Sequence, residues 1–311
     1  MQKNEVLSKE LKRNQFNVLA HLEAKKDEGR MSQRAIAEAV KLSVGTVNSV
    51  ILELEKLGYV DGGVITDAGL IALEPYRVKR AIILAAGFGE RLIPITLNTP
   101  KPLVRIGGTR IIDTILDSIT ALGIDDIIIV RGYLSEQFDQ LLYKYPSIKF
   151  VENPNYAESN NISSMMCVRY MLQNAYVLDS DLFINNTGIF TKYQYATNYL
   201  GIPTDVTDDW VYQSKGGFIT GTRQGGTNTH IAIGFSYWTS EDGARMAEHV
   251  REVYETPGGK ERFWDQVALV YYNKEYKIEI RECNLEDITE IDTFSDLKKL
   301  DKAYSVGSTT G

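Results

Sequence analysis

Between Ala81 and Pro102 an apolar run, Ala-Ile-Ile-Leu, breaks into Ala85-Ala86-Gly87-Phe88-Gly89, followed by Arg91 and, further on, Lys101. Small residues after Leu84 free the backbone to turn tightly. No Cβ then blocks an anion from approaching several N–H groups at once. Arg91 and Lys101 supply formal positive charge. The turn is neither Gly-x-x-x-x-Gly-Lys-Ser/Thr nor Gly-x-Gly-x-x-Gly, which argues against a generic P-loop enzyme and a dinucleotide oxidoreductase. A second apolar run, Ala175 to Leu178, ends in Asp179-Ser180-Asp181. If the strand continues, alternation points Asp179 and Asp181 the same way, toward one magnesium ion; a turn or helix cap uses the same residues. Asp265 follows Phe263 and Trp264, a spacing that says little alone.

The elements needed to position these groups are readable from Ala81 onward. Apolar strands alternate with amphipathic segments: a strand at Ala81–Leu84, a helix over Arg110–Leu122 and a strand over Asp126–Val130. A helix over Leu134–Tyr143 and a strand over Lys149–Val151 follow. This βαβα order predicts an α/β fold with a mostly parallel sheet covered by helices on both faces, whose ligands lie beyond the carboxyl ends of the strands. The glycine turn occupies such a place.

Residues 1–78 read differently. Phe16, Val18, Leu19 and Leu22 mark one helix, and Ile36, Ala37 and Val40, capped by Ser32, a second. Val47, Val50, Ile51, Leu54 and Leu57, capped by Ser43, mark a third, which Gly58 ends. Asp61-Gly62-Gly63 then turns a short hairpin, and Thr66 to Leu73 forms a further helix. This order resembles a small winged helix-turn-helix domain of bacterial regulators, with Val44 to Leu57 as recognition helix. Lys41, Ser43, Thr46, Asn48 and Ser49 are its candidate DNA contacts. Eleven basic and eleven acidic residues cancel over this segment, so the surplus that usually supports phosphate binding is absent and protein interaction or dimerisation is an equal alternative. Glu74 to Arg80 carries no Gly/Ser-rich linker. The division expected is 1–78, 79–303 and a C-terminal tail at 304–311.

The longer pattern Leu-Ala-Ala-Gly-x-Gly-x-Arg-Leu, followed by Pro94, Thr96, Asn98 and Thr99-Pro-Lys-Pro-Leu103, resembles the signature of nucleotidyltransferases. The resemblance implies a Rossmann-like nucleotidyltransferase sheet. It assigns Leu84, Ala85, Ala86, Gly87, Gly89, Arg91 and Lys101, with Gly132 and Tyr133, to the nucleotide. Within the superfamily the pieces Gly132-Tyr-Leu-Ser-Glu-Gln-Phe-Asp, Asn155-Tyr-Ala-Glu-Ser-Asn-Asn-Ile-Ser-Ser, Gly234-Phe-Ser-Tyr-Trp, Phe263-Trp-Asp and Thr289-Glu-Ile-Asp are similar to CTP:phosphocholine cytidylyltransferases. That likeness implies transfer from CTP to phosphocholine, giving CDP-choline and pyrophosphate. Asp181 and Asp265, with Asp179, would hold Mg2+; Arg91, Lys101, Asp181 and Asp265 would form the catalytic set. Asn160, Asn161, Trp210, Trp238, Trp264 and Glu290 are expected around the acceptor. A quaternary ammonium cannot donate a hydrogen bond, so Tyr237 and Phe263 join the tryptophans as candidates for an aromatic cage. Ile202 to Thr229 departs from the family pattern. Two rivals follow: a sugar-1-phosphate nucleotidyltransferase, and a transcription regulator sensing nucleotide through this fold.

Composition is that of a soluble globular protein long enough for two domains, not a disordered one: 311 residues, 43% hydrophobic and 24% charged. Cys167 and Cys283 form no disulfide framework or zinc spacing, and the three histidines, His21, His230 and His249, are scattered, leaving hard-cation chemistry with carboxylates. A net charge of −7 argues against broad nucleic-acid binding by the whole chain. The charged start Met1-Gln-Lys-Asn-Glu lacks the apolar core of a signal peptide and no run reaches membrane-spanning length, so a cytoplasmic protein with no membrane partner is expected, and a homodimer is a mild expectation.

Overall fold

The computed structural model describes residues 10–305; the charged start and, from residue 306 on, the expected tail lie outside the described residues. The chain divides between Arg77 and Val78 into two compact units.

In the first unit, α1 (Arg13–Ala24), α2 (Gln33–Ala39) and α3 (Val44–Lys56) precede strands β1 (Val60–Asp61) and β2 (Val64–Ile65) and helix α4 (Asp67–Leu73). Side-chain caps set the helix starts. Ser32 Oγ accepts from Ala35 N–H, Ser43 Oγ from Thr46 N–H and Thr66 Oγ1 from Gly69 N–H, at 3.2, 3.0 and 3.1 Å. The face Val47, Val50, Ile51 and Leu54 is buried with Phe16, Leu19 and Ile36, a helical spacing that leaves the opposite face of α3 in solvent. Helices α2 and α3 turn through 106°, within the range of a helix-turn-helix. No single helix among the described residues is long and apolar enough to cross a membrane.

The second unit begins with β3 (Arg80–Ala85), the hairpin β4 (Arg105–Ile106) and β5 (Thr109–Arg110), α5 (Ile111–Ala121), β6 (Asp126–Arg131), β7 (Lys149–Glu152) and α6 (Ile162–Val168). It continues through β8 (Ala175–Asp179), β9 (Leu182–Ile184), β10 (Asn198–Lys215), β11 (Phe218–Trp238), α7 (Ser240–Glu255), β12 (Glu279–Glu282), β13 (Ile288–Glu290) and α8 (Phe294–Leu300). Seven strands order as β10-β12-β11-β8-β3-β6-β7. Strand β3 pairs in parallel with β6 and β8, and β6 with β7, while β11 runs antiparallel to β8. The mostly parallel sheet is therefore as expected, with one reversed strand inserted.

Strand β3 is buried on both faces. Ala81, Ile83 and Ala85 pack with Ile112, Ile115, Leu116 and Ile119 of α5, while Ile82 and Leu84 pack with Met165 of α6 and Met246 and Val250 of α7. Continuous apolarity follows from that sandwich. The segment expected as a helix over Leu134–Tyr143 is helical in the tighter 3-10 form at Ser135–Tyr143, entered through Leu134 at φ +48°. Tyr304 remains anchored, its hydroxyl donating to Arg105 O at 2.7 Å.

The family-divergent segment is a long curled hairpin. Gly216 and Gly217, at φ +61° and +84°, make its two-residue turn, and Lys215 pairs with Phe218. Val211 pairs with both Arg223 and Ile231, and Tyr212 with both Thr222 and His230. The outer half thus folds back beside the inner half.

Candidate active site

The glycine turn leaves β3 at its carboxyl end. Gly89 adopts φ +66°, and a Cβ there would lie 3.0 Å from Lys101 Cβ and 3.1 Å from Thr96 Cγ2. Only glycine lets the turn close so tightly onto Lys101. Thr96 Oγ1 donates to Gly89 O at 2.9 Å. Tyr133 braces the same loop from behind: its N–H donates to Ala86 O at 3.1 Å, and its hydroxyl to Thr96 O and Leu97 O at 3.0 and 3.2 Å. Gly132 is covered by the Tyr156 ring, which an added Cβ would meet at 2.6 Å. These two expected nucleotide residues sit one layer behind the cleft. Leu84, Ala85, Ala86, Gly87, Gly89, Arg91 and Lys101 line it directly.

This cleft has a volume of about 640 Å³ and is closed opposite the loop by Asn153, Ser163, Asp179, Asp181, Glu290 and Asp292, among others. Asn153, buried at the end of β7, donates to Ser163 Oγ and Ser164 Oγ at 2.9 and 3.0 Å, holding the start of α6 against the cleft. Lys101 is 9% exposed and donates to Asp181 Oδ2 at 2.7 Å, with Asp292 Oδ1 at 3.6 Å. Arg91 Nη2 lies 2.6 Å from Asp292 Oδ1. Both expected phosphate cations are therefore poised on carboxylates at the cleft floor.

Strand β8 ends at Asp179, so alternation stops governing Asp181. Asp181 instead sits at the crossing to β9, where its carbonyl accepts from Ile291 N–H at 3.1 Å and Glu290 pairs with Leu182. As a result Asp181, Glu290 and Asp292 offer oxygens within 4.8 Å of one another. That trio, rather than Asp179, Asp181 and Asp265, is what the fold gathers at metal-ligand spacing among the described residues. Asp292 was missed in the sequence, although Glu290-Ile291-Asp292 has the i, i+2 spacing that puts two carboxylates on one face. Asp181 Oδ1 is buried with no hydrogen-bond partner. An orphaned anionic oxygen among three carboxylates fits a hard divalent cation.

A smaller cavity of about 180 Å³ adjoins, sharing Asn161, Asp179, Phe263 and Glu290 with the first. Tyr199, Trp210, Tyr212, Trp264 and Asp265 complete much of its wall. The curled hairpin brings Trp210 and Tyr212 here, and Trp210 remains 54% exposed at the rim. Trp264 is buried, stacked on Tyr199 at 6.1 Å and 26°, and its N–H donates to Asn161 Oδ1 at 2.9 Å. Gly234 makes space for Asp179: a Cβ there would lie 2.0 Å from Asp179 Oδ2. Asn160 lines the larger cleft and donates from Nδ2 to Glu261 O at 3.3 Å. Trp238, expected at the acceptor, lines neither cavity. It is fully buried beneath the sheet with Nε1 donating to Ser236 Oγ at 3.0 Å. Tyr237 likewise belongs to the core.

Negative charge is concentrated here. Burial, then Asp181, Asp265 and Glu290, push the Asp179 carboxyl well above its ordinary range. Burial pushes Asp265 up to about 6. Glu290 opens onto the cleft and yet is walled in; that enclosure, with Asp181 and Asp292 beside it, pushes it up to about 8. Such carboxylates call for a cation from outside.

The family described as nucleotidyl transferase matches residues 80–198, and that described as winged helix-turn-helix DNA-binding matches residues 11–61. The chain is 34% identical over 228 residues to a 2-aminoethylphosphonate cytidylyltransferase of Lancefieldella rimae, covering 72% of this chain and 92% of that one. It is 33% identical to a choline-phosphate cytidylyltransferase of Streptococcus pneumoniae, covering 72% and 97%. Among solved structures, the CTP:phosphocholine cytidylyltransferase from Streptococcus pneumoniae superimposes with a TM-score of 0.67 at 32% identity, over 73% of this chain and 99% of that one.

Proposed function

This chain belongs to the nucleotidyltransferase family and carries a winged helix-turn-helix unit ahead of the catalytic one; from that premise we propose that it is a Mg2+-dependent cytidylyltransferase making CDP-choline and pyrophosphate from CTP and phosphocholine. The observation that carries the reading is the pair of joined cavities. One is roofed by the glycine turn, carries Lys101, Arg91 and carboxylates, and is large enough for a nucleoside triphosphate; the other is lined by aromatic rings and carboxylates, as suits a choline headgroup.

The glycine turn's backbone N–H groups and Lys101 would fix the triphosphate, and Arg91 would swing from Asp292 to its outer phosphates. An acceptor phosphate oxygen, already anionic near neutral pH, attacks the α-phosphorus in line. The bond to the β-phosphate oxygen breaks and pyrophosphate leaves. No side-chain nucleophile or dedicated base is needed. Asp181, Glu290 and Asp292 would hold Mg2+, which when bound would neutralise charge on the triphosphate, while Asp179 stands on the wall shared by the two cavities and Asp265 on the smaller one. Trp210, Trp264 and Phe263 would present ring faces to the ammonium while Asn160 and Asn161 steady the junction between the two sites.

A second reading places 2-aminoethylphosphonate in the small cavity. The Lancefieldella relative favours it, and Asp179 and Asp265 can accept the hydrogen bonds that a primary ammonium donates. The experiment is a turnover matrix: CTP, UTP, dTTP and GTP against phosphocholine, 2-aminoethylphosphonate, phosphoethanolamine and sugar 1-phosphates, following pyrophosphate release and product mass. CDP-choline as the fastest product is the expected result. A CMP-phosphonate as the fastest product selects the second reading, and nucleotide sugars without either product overturn both.

A further inference from the structure

Helix α8 lines neither cavity, yet it begins two residues beyond Asp292 and its first turn is clamped reciprocally. Thr293 Oγ1 accepts from Asp296 N–H at 3.2 Å, and Asp296 Oδ2 accepts from Thr293 N–H at 3.0 Å. The far end is held as well. Asp301 Oδ2 accepts from Gly107 N–H at 2.9 Å and Tyr304 reaches Arg105 O, which ties the segment to the β4–β5 hairpin. Between these two fixings Leu297 is fully buried.

Leu297 belongs to an apolar cluster separate from the two faces of the main sheet, with Leu92, Val104, Ile111 and Ile291. Three of these are rooted beside groups of the larger cleft. Leu92 follows Arg91 in the turn Glu90–Leu92. Val104 N–H donates to Lys101 O at 3.2 Å, closing the turn Lys101–Leu103. Ile291 stands between Glu290 and Asp292, its side chain in the cluster while both neighbours line the cleft. Arg91 and Asp292 are 201 residues apart in sequence. What they share, with Lys101 and Glu290, is this piece of core behind them.

We propose that α8 is a brace that sets the spacing between Arg91 and Lys101 on one side and Asp181, Glu290 and Asp292 on the other, with Leu297 as its positioning residue. The inference rests on reading those three carboxylates as the metal site, and it holds whichever acceptor is used. Cores are close-packed, so truncating Leu297 opens a void into which the two turns and the end of β13 can move. Displacement by a fraction of an ångström is enough to loosen a cation site. Of these five groups the smaller cavity uses Glu290 alone, so acceptor binding is largely spared.

The test compares the full chain with Leu297→Ala, Leu297→Val, Leu297→Met and Leu141→Ala. Leu141 is an equally buried leucine of the main core and controls for lost stability. Mn2+, which takes the same oxygen ligands, is titrated without nucleotide by electron paramagnetic resonance, alongside melting temperature and steady-state kinetics with Mg2+ and each substrate varied. Leu297→Ala is expected to weaken Mn2+ binding about 10-fold and to raise the Mg2+ needed for half-maximal rate in proportion, with the acceptor KM within about 2-fold. Leu297→Val, which leaves a smaller void, should lose about 3-fold and keeps the test readable if Leu297→Ala does not fold. Leu297→Met restores both readings, and Leu141→Ala lowers the melting temperature while binding Mn2+ as the unaltered chain does. Unchanged Mn2+ affinity in the Leu297 variants, or an equal loss in Leu141→Ala, overturns the brace alone. Mn2+ binding that is absent from the unaltered chain, or that survives Asp292→Asn undiminished, overturns the metal site and the brace with it.

Discussion

The glycine turn lines the larger cleft, the curled hairpin lines the smaller cavity beside it, and the two are built on opposite plans. The turn is one continuous stretch, Leu84 to Lys101, that presents backbone N–H groups and two cations from the end of a strand buried on both faces. The hairpin contributes side chains and, at Gly234, the space left by a missing one. Trp210, Tyr212, Thr222 and Gly234 come from widely separated positions that meet only because β10 and β11 pair twice. On the proposed function, the chemistry of nucleotidyl transfer would be carried by rigid local geometry, and the choice of acceptor by a segment that can vary without disturbing it.

Substitutions can break this division of labour. Lys101→Ala should have the largest effect, lowering kcat about 10²- to 10³-fold, since it removes charge from the triphosphate and leaves Asp181 buried without its partner; the acceptor KM should move little. Steady-state kinetics with each substrate varied in turn checks the split. Gly234→Ala comes next. Its methyl overlaps the Asp179 carboxylate, and displacing that group should cost about 10²-fold in kcat/KM for the acceptor while CTP binding, followed by calorimetry, is retained. Trp210→Ala should raise the acceptor KM about 5- to 30-fold with kcat nearly unchanged, the range for one partly solvated ring facing a cation; Trp210→Phe should recover most of it. An acceptor KM that does not respond to Trp210 would dissolve the comparison.

The smallest effect concerns the frame beneath both regions. Burial raises the Asp126 carboxyl, but Lys149 and Arg80 outweigh it and hold it below the usual range, tying β3 to β6 and β7. A lowered folded value stabilises the fold at pH above the ordinary carboxylate value. That contribution is lost as pH falls through the lower folded value. Asp126→Asn should therefore cost about 1 kcal/mol at pH 7 and progressively less as pH falls below the ordinary carboxylate value, measured by urea unfolding at a series of pH values.

How far the sequence discloses such a site depends on how local its geometry is. The βαβα order, the turn at Gly87 and Gly89, the caps at Ser32 and Ser43 and the cleft positions of Arg91 and Lys101 are all legible, because each depends on neighbours a few residues away. Asp181 was legible as a carboxylate beyond a strand, but its partners Glu290 and Asp292 arrive through the β9–β13 ladder, a pairing across roughly a hundred residues that no local period announces. Trp238 was misread for the complementary reason. It pairs with Ala175 at the start of β8, far from the carboxyl end where the cleft lies, so an aromatic that resembled part of a cage is a pillar of the core. Trp264 and Phe263 differ by one residue and divide by exposure, Trp264 buried in the wall of the smaller cavity and Phe263 open to both cavities.

The contacts of Lys101 and Arg91 with Asp181 and Asp292 bear on inhibition. An empty cleft that neutralises its own cations offers little to a stray anion. Inorganic phosphate or sulfate would have to separate ion pairs already made and return nothing to the carboxylates left behind. In the proposed reaction the metal and its nucleotide arrive together and satisfy both halves of each pair at once. On that reaction, the ion pairs would weaken the binding of simple anions relative to that of the metal and nucleotide together.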